Sequence, residues 1–335
     1  MALMPIFTGN SSTILMLQAE APKAGTVRCR KTLSTWLLSD GKPGHEAQLR
    51  GLAQALARRQ SLALTWVNVA DLSVSWTDLL RGRYPGLTAA QTPRLAIAAG
   101  HASHLLLLTL RRATGCMTCV LMRPSLPLCC FDAAIVPRHD RPRRSARVLV
   151  TDGALNPVLP ASHPDSSSGL ILVGGPSRHF RFPLHDVCRQ VAALCTRFPE
   201  IHWTASTSRR SHAHTAASLQ ALGLANLETL AHTETPTGWV ADSLSRCGQA
   251  WITEDSVSMV YEALSAGVAT GLIALPARHR GRLQRGLREL RQRNMLNRLD
   301  AVIAGQHPAP PPQPLQEAER AADWLLQRLS GSDSR

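Results

Sequence analysis

The sequence predicts an α/β protein with two doubly wound halves. Short apolar segments alternate with segments of helical period along most of the chain, a pattern typical of mainly parallel sheets. A glycine-rich turn follows the first strand of each half, after Leu38 and after Val173. Residues 153–168 between the halves have linker composition, and a length of 335 residues fits two domains.

The first domain is predicted to span residues 33–160. Its strands are expected at 33–38, 62–67, 95–98, 119–122, 133–136 and 147–150, and its helices near 49–56 and 105–110. Ligands of open α/β sheets bind where the strands end, so the residues that follow the strands form a candidate site: 40–45, 100–101 and 139–140. Residues 1–32 show no period, and we expect them to be a mobile extension.

The second domain is predicted to span residues 168–306. Strands are expected at 170–173, 201–205, 227–230 and 271–275, with helices at Val187–Val191–Leu194, 213–222 and 239–244. A proline-rich connector follows at 307–314. The final helix, near 315–329, has a Leu and Ala face to bury.

Residues 251–267 predict a strand, a tight turn and a helix. We expect Asp255 or Ser256 to cap the helix by accepting from first-turn amides, and Gly267 to follow its end. An apolar stripe runs through Val257, Val260, Tyr261 and Leu264. Asp255, Ser258 and Glu262 share another stripe, where free amides and hydroxyls suit a phosphate and Glu262 suits a ligand hydroxyl. An ordinary capped helix with a solvated Glu fits the same spacing equally well.

The basic composition limits the expected partners. Lys and Arg number 37 against 23 Asp and Glu, a formal net charge of +14, which favours phosphates or an anionic membrane surface. The few aromatic residues do not interleave with basic ones, so we expect no nucleic acid. No apolar run reaches membrane-spanning length. Arginines crowd residues 278–298 beside an apolar face, which indicates either a helix lying on an anionic membrane or a solvated face.

Eight cysteines raise the question of a metal site. Cys116 and Cys119 form a CxxC, and Cys129–Cys130 follow, a grouping that a zinc site can use. Residues three apart in a strand point to opposite faces, so we favour free buried thiols and expect no metal. Such cysteine usage fits a cytoplasmic protein, and the arginines extend this to peripheral binding at the inner face of the membrane.

Three motifs resemble the mitochondrial-fission "elongated mitochondria" family, which includes bacterial members. They are LSDGKPGHE at 38–46, GGPSRHF at 174–180 and ITEDSVSM at 252–259. The segments 136–142 and 208–210 also match, and the resemblance covers roughly residues 33–300. His101 departs from the family pattern, where Arg is expected, and so does Asp152. The plant member recruits a dynamin-like fission factor, while the tandem Rossmann-like halves are similar to GT-B glycosyltransferases.

The GT-B resemblance implies that the two domains face a cleft and that the last helix crosses back to the first domain. It also implies a division of roles between the two domains. Gly41, Gly44 and His45 would face an acceptor, Gly174, Gly175 and Ser177 would hold a diphosphate, and Glu262 would bind a ribose. The remaining candidates are the acceptor-side residues Asp40, Lys42 and His101, and the nucleotide-side residues Arg178, Thr253, Asp255, Ser256, Ser258 and Met259. His45 is the expected base for the acceptor hydroxyl, ahead of His139 and Asp140, because His transfers protons near neutral pH.

These features favour a metal-independent glycosyltransferase that uses a nucleotide-sugar donor and a cell-envelope or lipid-linked acceptor, with no cofactor. An Asp-x-Asp motif for a metal is absent from the sequence. The alternative is a non-catalytic scaffold that keeps the fold and recruits a partner. A dinucleotide-dependent oxidoreductase or epimerase is disfavoured because no GxGxxG follows either first strand.

Overall fold

A computed structural model describes residues 32–85, 87, 92–279 and 281–332, together with the strands at 5–6 and 13–17. The chain forms two compact units. The first unit contains Met1–Pro157 and Glu317–Arg335, and the second contains Val158–Gln316. Within the described residues, no helix is both long and apolar enough to cross a membrane.

The first unit is built on an eight-stranded sheet. Its strands are β1 (Pro5–Ile6), β2 (Thr13–Leu17), β3 (Leu33–Ser39), β4 (Leu62–Asn68), β5 (Leu95–Ala99), β6 (Met117–Leu121), β7 (Ala133–Pro137) and β8 (Val148–Thr151). They are ordered β1-β2-β4-β3-β5-β6-β7-β8. All neighbouring pairs from β4 to β8 are parallel, which confirms the doubly wound prediction.

The second unit is built on a six-stranded sheet. Its strands are β9 (Asp165–Leu172), β10 (His202–Ser206), β11 (Leu227–Leu230), β12 (Cys247–Thr253), β13 (Ala269–Ile273) and β14 (Asn297–Arg298). They are ordered β11-β10-β9-β12-β13-β14, and every pair is parallel. Each parallel connection needs a crossover, and helices supply it.

The helices lie between the strands as the sequence periodicity indicates. They are α1 (Pro43–Ala57), α2 (Trp76–Arg81), α3 (Ser103–Thr114), α4 (Leu184–Arg197), α5 (Thr215–Gln220), α6 (Trp239–Leu244), α7 (Val257–Ala266), α8 (Arg282–Gln292), α9 (Leu299–Ile303) and α10 (Glu317–Ser332). Helix α7 ends at Gly267, whose φ of 76° is left-handed and whose amide donates to Ala263 and Leu264, as predicted.

Both faces of the first sheet are covered by helices. Successive strand residues point to opposite faces, so Leu37 joins the core formed with α1 and α10, whereas Leu38 joins the core formed with α3. Helix α10 packs against α1 in the first unit, and Arg59 Nη2 lies 2.7 Å from Asp323 Oδ2 at this contact. The prediction that the last helix returns to the first unit is confirmed.

A single core fills the second unit, with Trp203 and Trp251 wholly buried in it. Each ring lies on a glycine of a neighbouring strand. A Cβ at Gly169 would come within 2.4 Å of Trp203, and one at Gly271 within 2.3 Å of Trp251. Side chains at these two strand positions would therefore displace the rings, so glycine is required there for packing.

The structure differs from the sequence prediction at two chain segments. Within residues 1–32, expected to be a mobile extension, β1 and β2 form, and β2 runs antiparallel to β4 because its apolar, β-favouring residues pair with an edge strand. Residues 1–4, 7–12 and 18–31 lie outside the described part. Strand β9 begins at Asp165, inside the predicted linker, where the polar run 165–168 pairs with β10 and β12.

Candidate functional site

Each sheet has a point where the chain reverses its direction of strand addition. In the first unit β3 lies between β4 and β5, and in the second β9 lies between β10 and β12. Loops from neighbouring strands diverge at such a point and leave a crevice at the carboxyl ends, where ligands of open α/β sheets bind.

His45 and Asp40 form a hydrogen-bonded pair beside β3. His45 is in the first turn of α1, and its Nδ1 lies 2.7 Å from Asp40 Oδ1, while Lys42 Nζ lies 2.9 Å from Asp40 Oδ2. A carboxylate only accepts, so Nδ1 donates this hydrogen bond, and in the neutral form of the ring the lone pair is on Nε2. The Asp40 side chain is 5% exposed and that of His45 is 21% exposed. A buried acid therefore orients an imidazole that solvent and a ligand can reach.

The environment of Asp40 keeps it ionised. Burial acts to raise its pKa, but hydrogen bonds from Lys42 and His45 outweigh burial and hold the pKa below its usual value. Gly100, the first residue after β5, lies against the pair: a Cβ there would be 2.3 Å from Asp40 Oδ2 and 2.8 Å from His45 Nδ1. Its φ of 96° also favours glycine. A glycine at position 100 therefore leaves the space that the Asp40–His45 pair occupies at the switch point.

The other predicted acceptor-side residues have different surroundings. Gly41, at φ 75°, donates its amide to Ser39 Oγ, and Gly44 is in α1. His101 is exposed and its ring is 5.6 Å from that of buried His104, whose pKa burial lowers, with a smaller effect from His101. His139 and Asp140 lie in a 3-10 turn after β7. The side chain bonded to His45 is Asp40, which the sequence had indicated only as part of the loop.

The glycine turn of the second unit does not offer its amides to a ligand. Gly174 donates to Thr253 Oγ1 at 2.8 Å, and Gly175 donates to Asp255 Oδ2 at 3.1 Å. The prediction that these two amides hold a diphosphate is therefore corrected. A Cβ at Gly174 would be 2.2 Å from Asp255 Oδ2, and one at Gly175 would be 2.1 Å from the Arg210 carbonyl. The glycines let three loops approach each other closely.

Asp255 and Arg210 form an ion pair at the centre of these loops. The Asp255 side chain is 0% exposed, and its Oδ2 lies 2.7 Å from Arg210 Nη2. The same nitrogen lies 3.2 Å from Ser256 Oγ. Among the described residues Asp255 Oδ1 has no hydrogen-bond partner. Arg210 is the functional residue that the site prediction missed, although the 208–210 segment had been noted as a family motif.

The start of α7 is not capped by a side chain. Ser256 is the N-cap residue, yet its oxygen contacts Arg210 and Asp255 rather than a first-turn amide. The capping prediction for Asp255 and Ser256 is therefore wrong, because both oxygens serve the ion pair. The amides of residues 257–259 have no partner within the described chain, since the first turn of a helix cannot satisfy its own donors. Ser258 is exposed beside them.

Glu262 lies one turn after Ser258 on the same helix face. It is half-buried, and burial raises the pKa of its carboxyl to about 7. No hydrogen-bond or ion-pair partner for it exists in the part of the chain that the structure describes. A desolvated carboxyl without a partner is a candidate for binding a ligand.

The remaining predicted residues of the second unit have structural roles or face solvent. Ser177 Oγ accepts from the amides of His179 and Phe180 and so shapes the turn. Arg178 is exposed, with its Nε 3.0 Å from His179 Nε2. Met259 packs against the core, and the hydroxyl oxygen of Thr253 accepts from the amide of Gly174.

The predicted CxxC does not form a metal site in the described residues, where no group of three His, Cys, Asp or Glu side chains is placed to bind a metal. Cys116 and Cys119 are buried free thiols. Burial raises the pKa of both, so they are protonated near neutral pH.

Comparison with known structures defines the class of fold. A putative UDP-N-acetylglucosamine 2-epimerase from Listeria monocytogenes matches with a TM-score of 0.59 at 11% identity, covering 90% of this chain and 97% of that chain. The UDP-GlcNAc 2-epimerase from Methanocaldococcus jannaschii matches with a TM-score of 0.50 at 10% identity, covering 88% and 99%. At such identities the likeness shows the fold alone, which is the two-unit α/β fold of GT-B glycosyltransferases and epimerases.

The family follows from the sequence match. Residues 43–329 match the family described as Mitochondrial fission ELM1, and the chain belongs to it. The match confirms the resemblance carried by the three motifs. No curated protein matches the sequence at a significant level.

Proposed function

We propose that the protein is a glycosyltransferase that binds a nucleotide-sugar in the second unit and activates an acceptor hydroxyl in the first. The observation that carries the proposal is the uncapped start of α7, with free amides at 257–259, the hydroxyls of Ser256 and Ser258, and Arg210 beside them. Such a helix start carries about +0.5 of a charge and presents aligned donors, which suits a diphosphate.

The set of proposed phosphate donors differs from that expected from the sequence. The amides of Gly174 and Gly175 are already donated, so the α7 amides take their place. The guanidinium of Arg210 has five N–H groups, and it can contact a phosphate while its Nη2 stays on Asp255. Glu262, facing the same side of α7 as Ser258, accepts from the ribose hydroxyls.

The proposed reaction uses the Asp40–His45 pair as its base. His45 Nε2 removes the proton of the acceptor hydroxyl, and Asp40 stabilises the imidazolium that results. The acceptor oxygen forms a bond to the anomeric carbon as the bond from that carbon to the phosphate oxygen breaks. The nucleoside diphosphate leaves with its charge held by α7 and Arg210, so the proposed reaction needs neither a metal nor a cofactor. The acceptor would be a cell-envelope or lipid-linked hydroxyl compound.

The fold neighbours suggest which donor to test first. Both named structures are UDP-N-acetylglucosamine epimerases, so UDP-N-acetylglucosamine heads a panel that also includes GDP-, ADP- and CMP-linked sugars. A donor far above its Kd stabilises the folded protein by a few kcal/mol. We expect one nucleotide class to raise the melting temperature and to be turned over with release of nucleotide.

Substitutions at two neighbouring arginines test the site. Arg210→Ala should weaken donor binding roughly ten- to a hundredfold, as expected for loss of a charged hydrogen bond, while Arg209→Ala, which removes the same charge one residue away, should change it little. Arg210→Ala leaves Asp255 buried without its partner. The Arg210→Met/Asp255→Asn double variant avoids this, because it replaces both members of the ion pair with uncharged side chains. Unchanged donor affinity in both Arg210 variants would refute the site assignment.

A variant in the first unit separates binding from chemistry. His45→Ala should bind the donor like the wild type and lose transfer. Stabilisation by a nucleotide-sugar without turnover of any acceptor would favour the scaffold alternative, and absence of stabilisation by every nucleotide class would refute the glycosyltransferase proposal.

We also propose peripheral binding to anionic membranes through α8. Leu287 and Leu290 are buried in the core of the second unit, so the apolar face is not free to insert, and the interaction would rest on charge. Each arginine near the surface contributes about 1 kcal/mol. The Arg282→Glu/Arg285→Glu/Arg288→Glu variant should no longer float with anionic vesicles, whereas Arg83→Glu/Arg143→Glu/Arg144→Glu, with equal net charge, should. Equal flotation of the wild type with phosphatidylcholine and anionic vesicles would contradict this.

A further inference from the structure

A second candidate site lies at the amino-terminal edge of the first sheet, opposite the Asp40–His45 pair. A cavity of about 990 Å³ is bounded there by the residues that precede β5, β6, β7 and β8 and by the ends of α3 and α10. The charged residues that line it are Arg94, Arg111, Asp132, Arg147 and Arg328. Small-molecule sites span roughly 300–1,000 Å³, so the cavity has room for a ligand.

Four arginines face this cavity with a single acid among its described lining residues, Asp132. Both oxygens of that carboxylate are already occupied. Oδ1 lies 2.7 Å from Arg111 Nη2, and Oδ2 accepts from the amide and hydroxyl of Thr118 at 3.0 and 2.8 Å. Asp132 therefore balances one guanidinium and leaves a net charge of +3 on the lining.

Three of the arginines donate to neutral groups. Arg111 donates to the carbonyl of Cys130 at 2.8 Å, Arg147 to that of Cys129 at 3.2 Å and Arg328 to that of Ala146 at 2.7 Å. A carbonyl accepts a hydrogen bond without cancelling the charge, and a guanidinium has five N–H groups. The side chains are thus oriented while their positive charges persist.

The remaining charge matches a phosphoryl dianion. Helices α3 and α10 both end at the cavity, and each helix end contributes about −0.5 of a charge, which leaves about +2. One guanidinium can donate two parallel hydrogen bonds to two oxygens of a phosphate. The cavity is much larger than one phosphate group, so it has room for a further moiety attached to the phosphate. We propose that this cavity binds an organic phosphate, independently of the nucleotide-sugar site.

The test measures binding of glucose 6-phosphate and AMP by calorimetry, with inorganic phosphate and glucose as reference probes at constant ionic strength. Arg147→Ala and Arg94→Ala should each weaken binding of the organic phosphate about tenfold, the usual effect of losing one charged hydrogen bond. The matched control is Arg112→Ala, which removes the same charge from α3 next to Arg111 but outside the cavity. It should change affinity less than twofold.

Several results would overturn the proposal. Equal losses in Arg147→Ala and Arg112→Ala would show general attraction to a basic surface. Loss in Arg210→Ala with none in Arg147→Ala would place the phosphate at the start of α7. No binding of either organic phosphate to the wild-type protein would also refute it. A larger effect of Arg147→Ala on glucose 6-phosphate than on AMP, or the reverse, would support the proposal and identify the attached group as a sugar or a nucleoside.

Discussion

Glu262→Gln should stabilise the protein above neutral pH. A pKa of about 7, against 4.5 for a free glutamate, corresponds to about 3.4 kcal/mol at about 1.36 kcal/mol per pKa unit. The side chain is only half-buried, and solvent screens part of this energy, so we expect a gain in stability of about 2 kcal/mol. Glutamine has nearly the same shape and no charge to desolvate, so the variant lacks this penalty.

The sign follows from proton linkage. Between pH 4.5 and about 7 the folded protein keeps a proton on Glu262 that the unfolded chain has lost, so stability falls as pH rises through this window and is flat above it. Chemical denaturation from pH 4.5 to 8 should show this decrease in the wild type and less of it in Glu262→Gln. Glu200→Gln, an exposed acid in the same unit, is the control and should follow the wild type.

The same carboxyl should make donor binding depend on pH. Only the ionised form accepts from ribose hydroxyls at both oxygens, and about a tenth of it is ionised at pH 6 if the pKa is about 7. Affinity for a nucleotide-sugar that binds at this site should therefore rise about tenfold from pH 6 to 8 and become pH-independent in Glu262→Gln. Parallel stability and affinity profiles for wild type and variant would refute the reasoning.

Two further outcomes are expected. Asp40→Asn should lower transfer about 10²- to 10⁴-fold with little change in donor affinity, because an amide can donate to Nδ1 of His45 as well as accept from it, so the tautomer is no longer fixed and the imidazolium loses its carboxylate. Steady-state kinetics beside calorimetry checks this, and a variant with wild-type turnover would exclude the pair as the base. Gly174→Ala should destabilise the second unit by about 2–4 kcal/mol, because its Cβ would collide with Asp255. Gly44→Ala, in helix α1 with no atom near its Cβ, should instead be neutral or stabilising by thermal denaturation, and equal effects of the two changes would contradict the packing argument.

Local sequence pattern was sufficient for most elements of the fold. Helix α7 shows this best: the stripe of Val260, Tyr261 and Leu264 is buried, and Gly267 ends the helix in the left-handed region. The period of apolar residues sets which face is buried, and this depends on neighbours within a few positions in the chain. Strand β2 and the start of β9 were missed because their pairing depends on distant strands that supply free backbone groups.

The candidate site was predictable as a set of loops but not as a set of contacts. Strand ends meet at one edge of a parallel sheet, so the sequence alone indicated the loops after β3, β9 and β12. It also indicated His45, Ser256 and Glu262, which lie in these loops or in the helices that follow them. Which donors are already used is decided by contacts between residues far apart in the chain. The amide of Gly174 donates to Thr253, the amide of Gly175 donates to Asp255, and Arg210 forms an ion pair with Asp255.

The sequence by itself therefore determined the class of fold, the family and the strand-end loops of the candidate site, because periodicity, turn residues and motifs are local properties. Only the tertiary structure decided that Asp40 orients His45, that the amides of Gly174 and Gly175 already donate within the protein, and that α7 begins with unpaired donors. Hydrogen bonding is exclusive and short-ranged, so the partner of a buried donor is settled by which loops pack together. The arginine cavity has the same origin, since its four guanidinium groups come from separate segments that the sheet and α10 bring to one edge.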